Sequence, residues 1–170
     1  MIRKVTIFTI LILMSMISCT VQKTDIVPES HAVAYFTTFE SFVNSHTSKT
    51  QDIKYLAFDY SNLDSEDLEL FVEMIKEFCK DNGFTYLEGT TDELIHKGYI
   101  TVYELQDGVF AAQSFSNGVL VQISTISTNE YEIVSTMSMW RGNLSAIGST
   151  FTTTFENGTW NVECSNFWVS

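Results

Sequence analysis

Ile53-Lys-Tyr-Leu-Ala-Phe-Asp-Tyr60, Leu68-Glu-Leu-Phe-Val-Glu-Met-Ile-Lys-Glu-Phe-Cys79 and Phe84-Thr-Tyr-Leu87 are the three runs that decide the fold. The first alternates, with Leu56, Phe58 and Tyr60 on one face, as a strand does. In the second, Leu68, Phe71, Val72, Ile75, Phe78 and Cys79 recur at three- and four-residue steps, the period of an amphipathic helix. Asp64 or Ser65 can cap its first amides, Glu66 and Asp67 suit the positive end of its dipole, and Asn82-Gly83 stops it. The third run is a strand. Two strands joined by a helix of this length pair in parallel with a right-handed crossover, a βαβ unit.

Upstream, Pro28 stands at the first turn of a helix predicted over residues 29–44, whose apolar stripe is Ala32, Tyr35, Phe36, Phe39, Phe42 and Val43. The next eight residues, Ser45 to Asp52, read as a loop. Downstream, Thr90 and Glu93 form a capping box that opens a short helix ending at Gly98. The period then changes from helix to strand. Val, Ile, Thr, Phe and Tyr alternate with polar residues, punctuated by the turn dipeptides Asp107-Gly108, Asn117-Gly118 and Asn157-Gly158. About five antiparallel strands are expected there. The fold class is α+β: one domain over residues 29–170, with an N-terminal helix, a βαβ unit and an antiparallel meander, forming a mixed sheet packed on helices.

The first 28 residues have another purpose. Arg3 and Lys4 precede an uncharged apolar run from Val5 to about Ile17, too short for a membrane span and of signal-peptide size. Met16-Ile17-Ser18-Cys19 resembles the lipobox of bacterial lipoproteins, although Met16 stands where Leu is commonest. That resemblance implies cleavage before Cys19, a diacylglycerol thioether on its sulfur and an acyl chain (palmitate or similar) on its amine. Residues 1–18 are then a signal peptide and 19–28 a lipidated tether. An ordinary signal peptide with a chance cysteine is the alternative.

Of the 170 residues, 45% are apolar and 14% aromatic, enough to build a core. Nine basic side chains stand against 21 acidic ones; without Arg3 and Lys4 the formal charge falls from −12 to −14. Such a surface repels phosphate backbones and anionic headgroups, so nucleic acid is excluded as a partner, and any membrane contact falls to the lipid. A basic protein or peptide is the partner class it favours, though acidity also serves solubility alone.

Cys79 and Cys164 are expected to point toward one core, so they are either a disulfide pair in an oxidising compartment or, more commonly, two separate buried thiols. Metal-ligand spacing and the common catalytic motifs are missing from the sequence, so neither a metal nor another cofactor is expected. His31, His46 and His96 are scattered and read as surface polar groups. Asp59 with Asp64, Glu66 and Asp67 makes an acidic cluster without the spacing of a calcium loop.

One stretch stands out as a candidate binding corner. Arg141 is the single basic residue after Gly98, against six carboxylates, and lies in Trp140-Arg-Gly-Asn143. Trp140 can stack on a guanidinium or ligand, and Gly142 allows close backbone approach. Trp140, Arg141 and Asn143 could recognise an anion or peptide; otherwise they form a connection whose arginine pairs with a neighbouring carboxylate.

Residues 53–170 resemble a module of exported or membrane-attached proteins of Gram-positive bacteria. The resemblance rests on Ile53-Lys-Tyr-Leu-Ala-Phe-Asp59, Asp81-Asn-Gly-Phe84, Trp140-Arg-Gly-Asn-Leu-Ser-Ala-Ile-Gly148, Phe155-Glu-Asn-Gly-Thr-Trp160 and Phe167-Trp-Val-Ser170. It implies the outer face of a cell membrane and no particular activity. The sequence therefore leads to a lipid-anchored, extracytoplasmic, non-enzymatic binding module, of immunity or inhibitor type among other forms. The alternative is a cell-envelope enzyme whose site is assembled from distant residues, such as Asp59 or Glu104 with Arg141.

Overall fold

The computed structural model describes Pro28 and residues 30–46, 52–63, 66–143 and 145–170, and the side chain of Asp107 is outside that description. The expected signal peptide, Cys19 and the tether up to residue 27, with Asp64 and Ser65, also fall outside it. Among the described residues, three helices, α1 (His31–Ser45), α2 (Leu68–Asp81) and α3 (Thr91–His96), accompany eight strands. These are β1 (Tyr55–Asn62), β2 (Thr85–Glu88), β3 (Ile100–Glu104), β4 (Phe110–Phe115), β5 (Gly118–Asn129), β6 (Glu132–Trp140), β7 (Ala146–Glu156) and β8 (Thr159–Val169).

The fold is α+β, with a mixed six-stranded sheet in the order β2-β1-β5-β6-β7-β8. β1 pairs in parallel with β2, as the βαβ reading requires, and also in parallel with β5. β5 to β8 then run antiparallel as a meander. The strand region after Gly98 differs from expectation in one respect. It holds six strands, and β3 and β4 leave the main sheet to form their own hairpin. The Asn117-Gly118 turn thus joins two sheets, with Asn117 taking the positive φ of 56°. Gly118 is needed for space: a Cβ there would overlap the Phe115 ring.

α1 begins two residues later than its apolar pattern predicts, because Ser30 caps it by accepting from the Ala32 amide at 2.9 Å. Its stripe packs with Phe71, Ile75 and Cys79 of α2 on one face of the sheet, against Leu56, Phe58, Val121, Ile133, Met137 and Phe151. Two hydroxyl contacts fasten α1 to the sheet, Thr38 to Thr153 at 2.7 Å in the core and Tyr35 to Thr125 at 2.7 Å in a part-buried position. A smaller core of Ala57, Leu94, Ile100, Phe115 and Leu120 lies where α3 and the hairpin cover the other face. Covered on both faces, β1 buries four successive residues, Leu56 to Asp59, instead of alternating.

Candidate functional site

The Trp140–Asn143 corner follows β6 and serves as a docking point for the hairpin. Phe115 N donates to Arg141 O at 3.0 Å, Asn143 N donates to Gln113 O at 3.1 Å, and Gly142 bridges to Ser114. Gly142 is buried, and a Cβ on it would stand 3.1 Å from Gln113 O. Trp140 is half-buried in the smaller core, Arg141 is half-buried and engaged by its surroundings, and Asn143 is exposed. The glycine and the irregular backbone of this corner are thus accounted for by the β4 contact.

Asp59 lies in the carboxyl-terminal half of β1, one residue past the end of its parallel pairing with β2, on the side where parallel sheets place ligands. It is 8% exposed and accepts from Ser61 N at 3.0 Å, Ser61 Oγ at 2.6 Å and Gln122 Nε2 at 3.4 Å. A cavity of about 250 Å³ opens beside it, lined also by Glu88 at the end of β2 and by Gly89, Thr90 and Glu93. The expected capping box is formed here, with Thr90 N donating to Glu93 Oε2 at 2.8 Å and Glu93 N to Thr90 Oγ1 at 3.3 Å. Two of the cavity's carboxylates are thereby occupied in holding local backbone. On the helix side, Tyr86 donates to Glu88 Oε2 at 2.7 Å. The buried Tyr60 hydroxyl lies close enough to Tyr86 to feel it, without the geometry of a full hydrogen bond. Burial first, then Tyr86 and Glu88, hold the Tyr60 phenol protonated far above its usual range, and burial does the same for Tyr86.

The larger cavity, about 460 Å³, is a groove between α1 and α2 that sequence reading had not singled out. Phe36, Met74 and Phe78 give it apolar surface, Glu40 comes from α1, Glu77 and Asp81 come from α2, and Asn44 and Asn82 complete the lining. Asn82 is itself tied, donating from Nδ2 to Phe78 O at 2.9 Å. The signal was present in the spacing. Met74, Glu77 and Asp81 form a second stripe on α2 beside the buried one, and Phe36, Glu40 and Asn44 repeat every four residues on α1. Reading only the most apolar stripe hid it.

The residues of the enzyme alternative are not brought together by either cavity: Asp59 lines the smaller one, and Glu104 and Arg141 line neither. Among the described residues no group of three or more His, Cys, Asp or Glu could hold a metal ion. His31 meets the Trp160 ring edge-on, and His46 bonds Phe42 O at 2.9 Å through Nδ1 and stacks on Phe167, so both help seat α1 along β8.

Of the two readings for Cys79 and Cys164, the structure has two separate thiols, not the disulfide, and it corrects the expected burial of one: Cys79 is buried but Cys164 is exposed. Cys164 pairs with Phe151 in register and so shares its face, as expected. The two cysteines are nevertheless separated along the sheet. α2 crosses over to β2, whereas β8 is four strands from β1, a lateral gap of about 19 Å at 4.8 Å per strand. No disulfide spans that. Burial pushes the Cys79 thiol up to about 12.

Compared with known proteins, the chain matches no family model, no curated protein and no solved structure.

Proposed function

We propose that the chain is a lipid-anchored, extracytoplasmic interaction module that binds a basic protein or peptide without catalysing a reaction. The observation that carries this is the α1–α2 groove, where apolar side chains lie between carboxylates of both helices. An acidic rim selects and steers a cationic partner, and the apolar floor gives it desolvated contact. The formal −12 of the chain extends the same field over the surface, favouring fast encounter with a basic partner. An immunity or inhibitor role, in which a basic effector is covered, fits this chemistry.

The membrane half of the proposal rests on Arg3, Lys4, the apolar run and Cys19. Two or more acyl chains give stable anchorage. The ten residues from Cys19 to Pro28 reach at most about 35 Å, so the domain stays near the bilayer.

Two experiments test the two halves. Cys19→Ala should abolish incorporation of a palmitate analogue in cells; unchanged labelling sinks the anchor. The immobilised domain should retain a basic envelope protein in a salt-sensitive way, and Glu40→Lys/Glu77→Lys/Asp81→Lys should lose it. Equal retention by both proteins removes the groove from the proposal.

A further inference from the structure

The groove has a shape as well as a charge, and the shape selects the form of the partner. Its walls are two helices, so its side-chain ridges repeat at three- and four-residue steps, the spacing into which a third helix packs. An extended strand would instead seek a sheet edge, where backbone groups are free. Along α2, Leu70 stands four residues before Met74, which stands four before Phe78, and Leu70 is 44% exposed. The apolar line thus runs for about 12 Å of helix from Leu70 to Phe78, at 1.5 Å per residue, about 6 Å of it beyond the cavity.

The carboxylates sit on both walls. Glu77 and Asp81 are one turn apart on α2, and Glu40 faces them from α1. The lysines of α2 do not neutralise the groove from within. Lys76 and Lys80 are not among its lining residues, and Lys76 lies over the Tyr86 ring, 5.4 Å from its centroid. A ligand helix therefore meets negative charge on either side of an apolar floor that holds an adaptable methionine.

From this we infer that the groove takes a cationic amphipathic helix, with apolar side chains on Phe36, Met74 and Phe78 and Lys or Arg flanking them one turn apart. The inference rests on the proposed function and adds the recognition mode: helix in groove, read by charge on both flanks.

The test uses the domain after Cys19 and three synthetic probes of equal charge. These are a Lys/Leu amphipathic helix of about four turns, a sequence-scrambled peptide of the same composition, and oligolysine with the same number of positive charges. The amphipathic helix should bind at least tenfold more tightly than the other two. Its amide shift perturbations should centre on 36–44 and 74–82, and Glu77→Lys/Asp81→Lys, folded by circular dichroism, should weaken it at least tenfold. Equal binding of all three probes overturns the helix mode while leaving a basic partner in place. Binding by none of them overturns the proposed function as well. Perturbations on β3–β4 or β8 instead of the groove overturn this site.

Discussion

The carboxylate of Asp67 accepts from the Ser30 hydroxyl at 2.9 Å and from the His31 amide at 3.2 Å, although Asp67 caps α2 in sequence and both donors open α1. The side chain makes no capping bond to its own helix. It serves the free amides of the neighbouring helix and so fixes the two N-termini side by side. The far halves of the same helices form the walls of the groove.

That tie should be worth more than a surface contact, since hydrogen bonds to a charged acceptor contribute about 1.5–3 kcal/mol. Asp67→Ala is expected to destabilise by about 2 kcal/mol, and Ser30→Ala by about 1 kcal/mol. The double mutant should cost less than the sum, because Ser30 acts partly through Asp67. Urea unfolding of the four proteins measures this; strict additivity would mean that the two side chains act independently.

Periodicity carries the local elements well and their assembly poorly. The stripes of α1 and α2, the capping box at Thr90 and the meander from Val119 onward are all legible, because each follows from residues within one turn or one hairpin. That β5 lies beside β1 is not legible. The pairing of Tyr55 with Gly118 spans 63 positions and is set by the need to cover Leu56 and Phe58 as well as Val119 and Val121. The departure of β3 and β4 is hidden for the same reason: a hairpin alternates alike in either sheet. As for the candidate site, Trp140 to Asn143 stood out by composition, while the groove arises only when the edges of two apolar stripes, Phe36 and Phe78, meet beside the polar residues that flank them.

Thr38 and Thr153 are both buried, and their hydroxyls meet at 2.7 Å between α1 and β7. Thr153→Val leaves Thr38 its bond to Ala34 O at 2.8 Å, so it should cost about 1 kcal/mol. Thr38→Val strands the Thr153 hydroxyl in the core and should cost about 1–3 kcal/mol. Replacing both removes the stranded group, and the double variant should recover part of that loss. A double mutant less stable than Thr38→Val would show that the contact does not fasten the helix.

Gly118 and Gly148 both lie where a Cβ would enter a ring, but the rings differ in freedom. Phe115 is 1% exposed, whereas Trp168, against Gly148, is 46% exposed at the end of the edge strand. Gly118→Ala should cost about 1–3 kcal/mol through overpacking. Gly148→Ala should cost less, because the indole can swing to solvent with a red shift of its fluorescence. The opposite ranking in thermal melts would contradict the packing described.

At the Trp140–Asn143 corner, half-buried Arg141 belongs to the connection that holds β4. Its bond to Phe115 is made by its backbone carbonyl and survives truncation, so Arg141→Ala removes only the contacts of a half-buried side chain and should lower stability by about 0.5–1.5 kcal/mol in urea unfolding. Exchange of the Phe115 amide should stay as slow as in the parent protein. An arginine kept for a ligand would leave stability unchanged.

Cys79 gives the domain a pH dependence whose sign follows from burial. Its thiol is pushed up to about 12, against 9.0 for an exposed one. Below pH 9 both folded and unfolded chains hold the proton, so this group makes stability independent of pH there. Between 9 and 12 the unfolded thiol releases its proton while the folded one keeps it, and stability falls as pH rises. Tyr60 and Tyr86, whose unfolded phenols titrate near 10.0, add to the fall from that pH upward. The melting temperature of the domain after Cys19 should thus hold steady up to pH 9 and drop beyond it. Cys79→Ala should lower the plateau by opening a small cavity and flatten the first part of the drop. In the same domain a thiol reagent at pH 8 should label exposed Cys164 quickly and Cys79 only on unfolding. Rapid labelling of both thiols, or an unchanged slope in Cys79→Ala, would mean that Cys79 is not sealed in the core between α2 and the sheet.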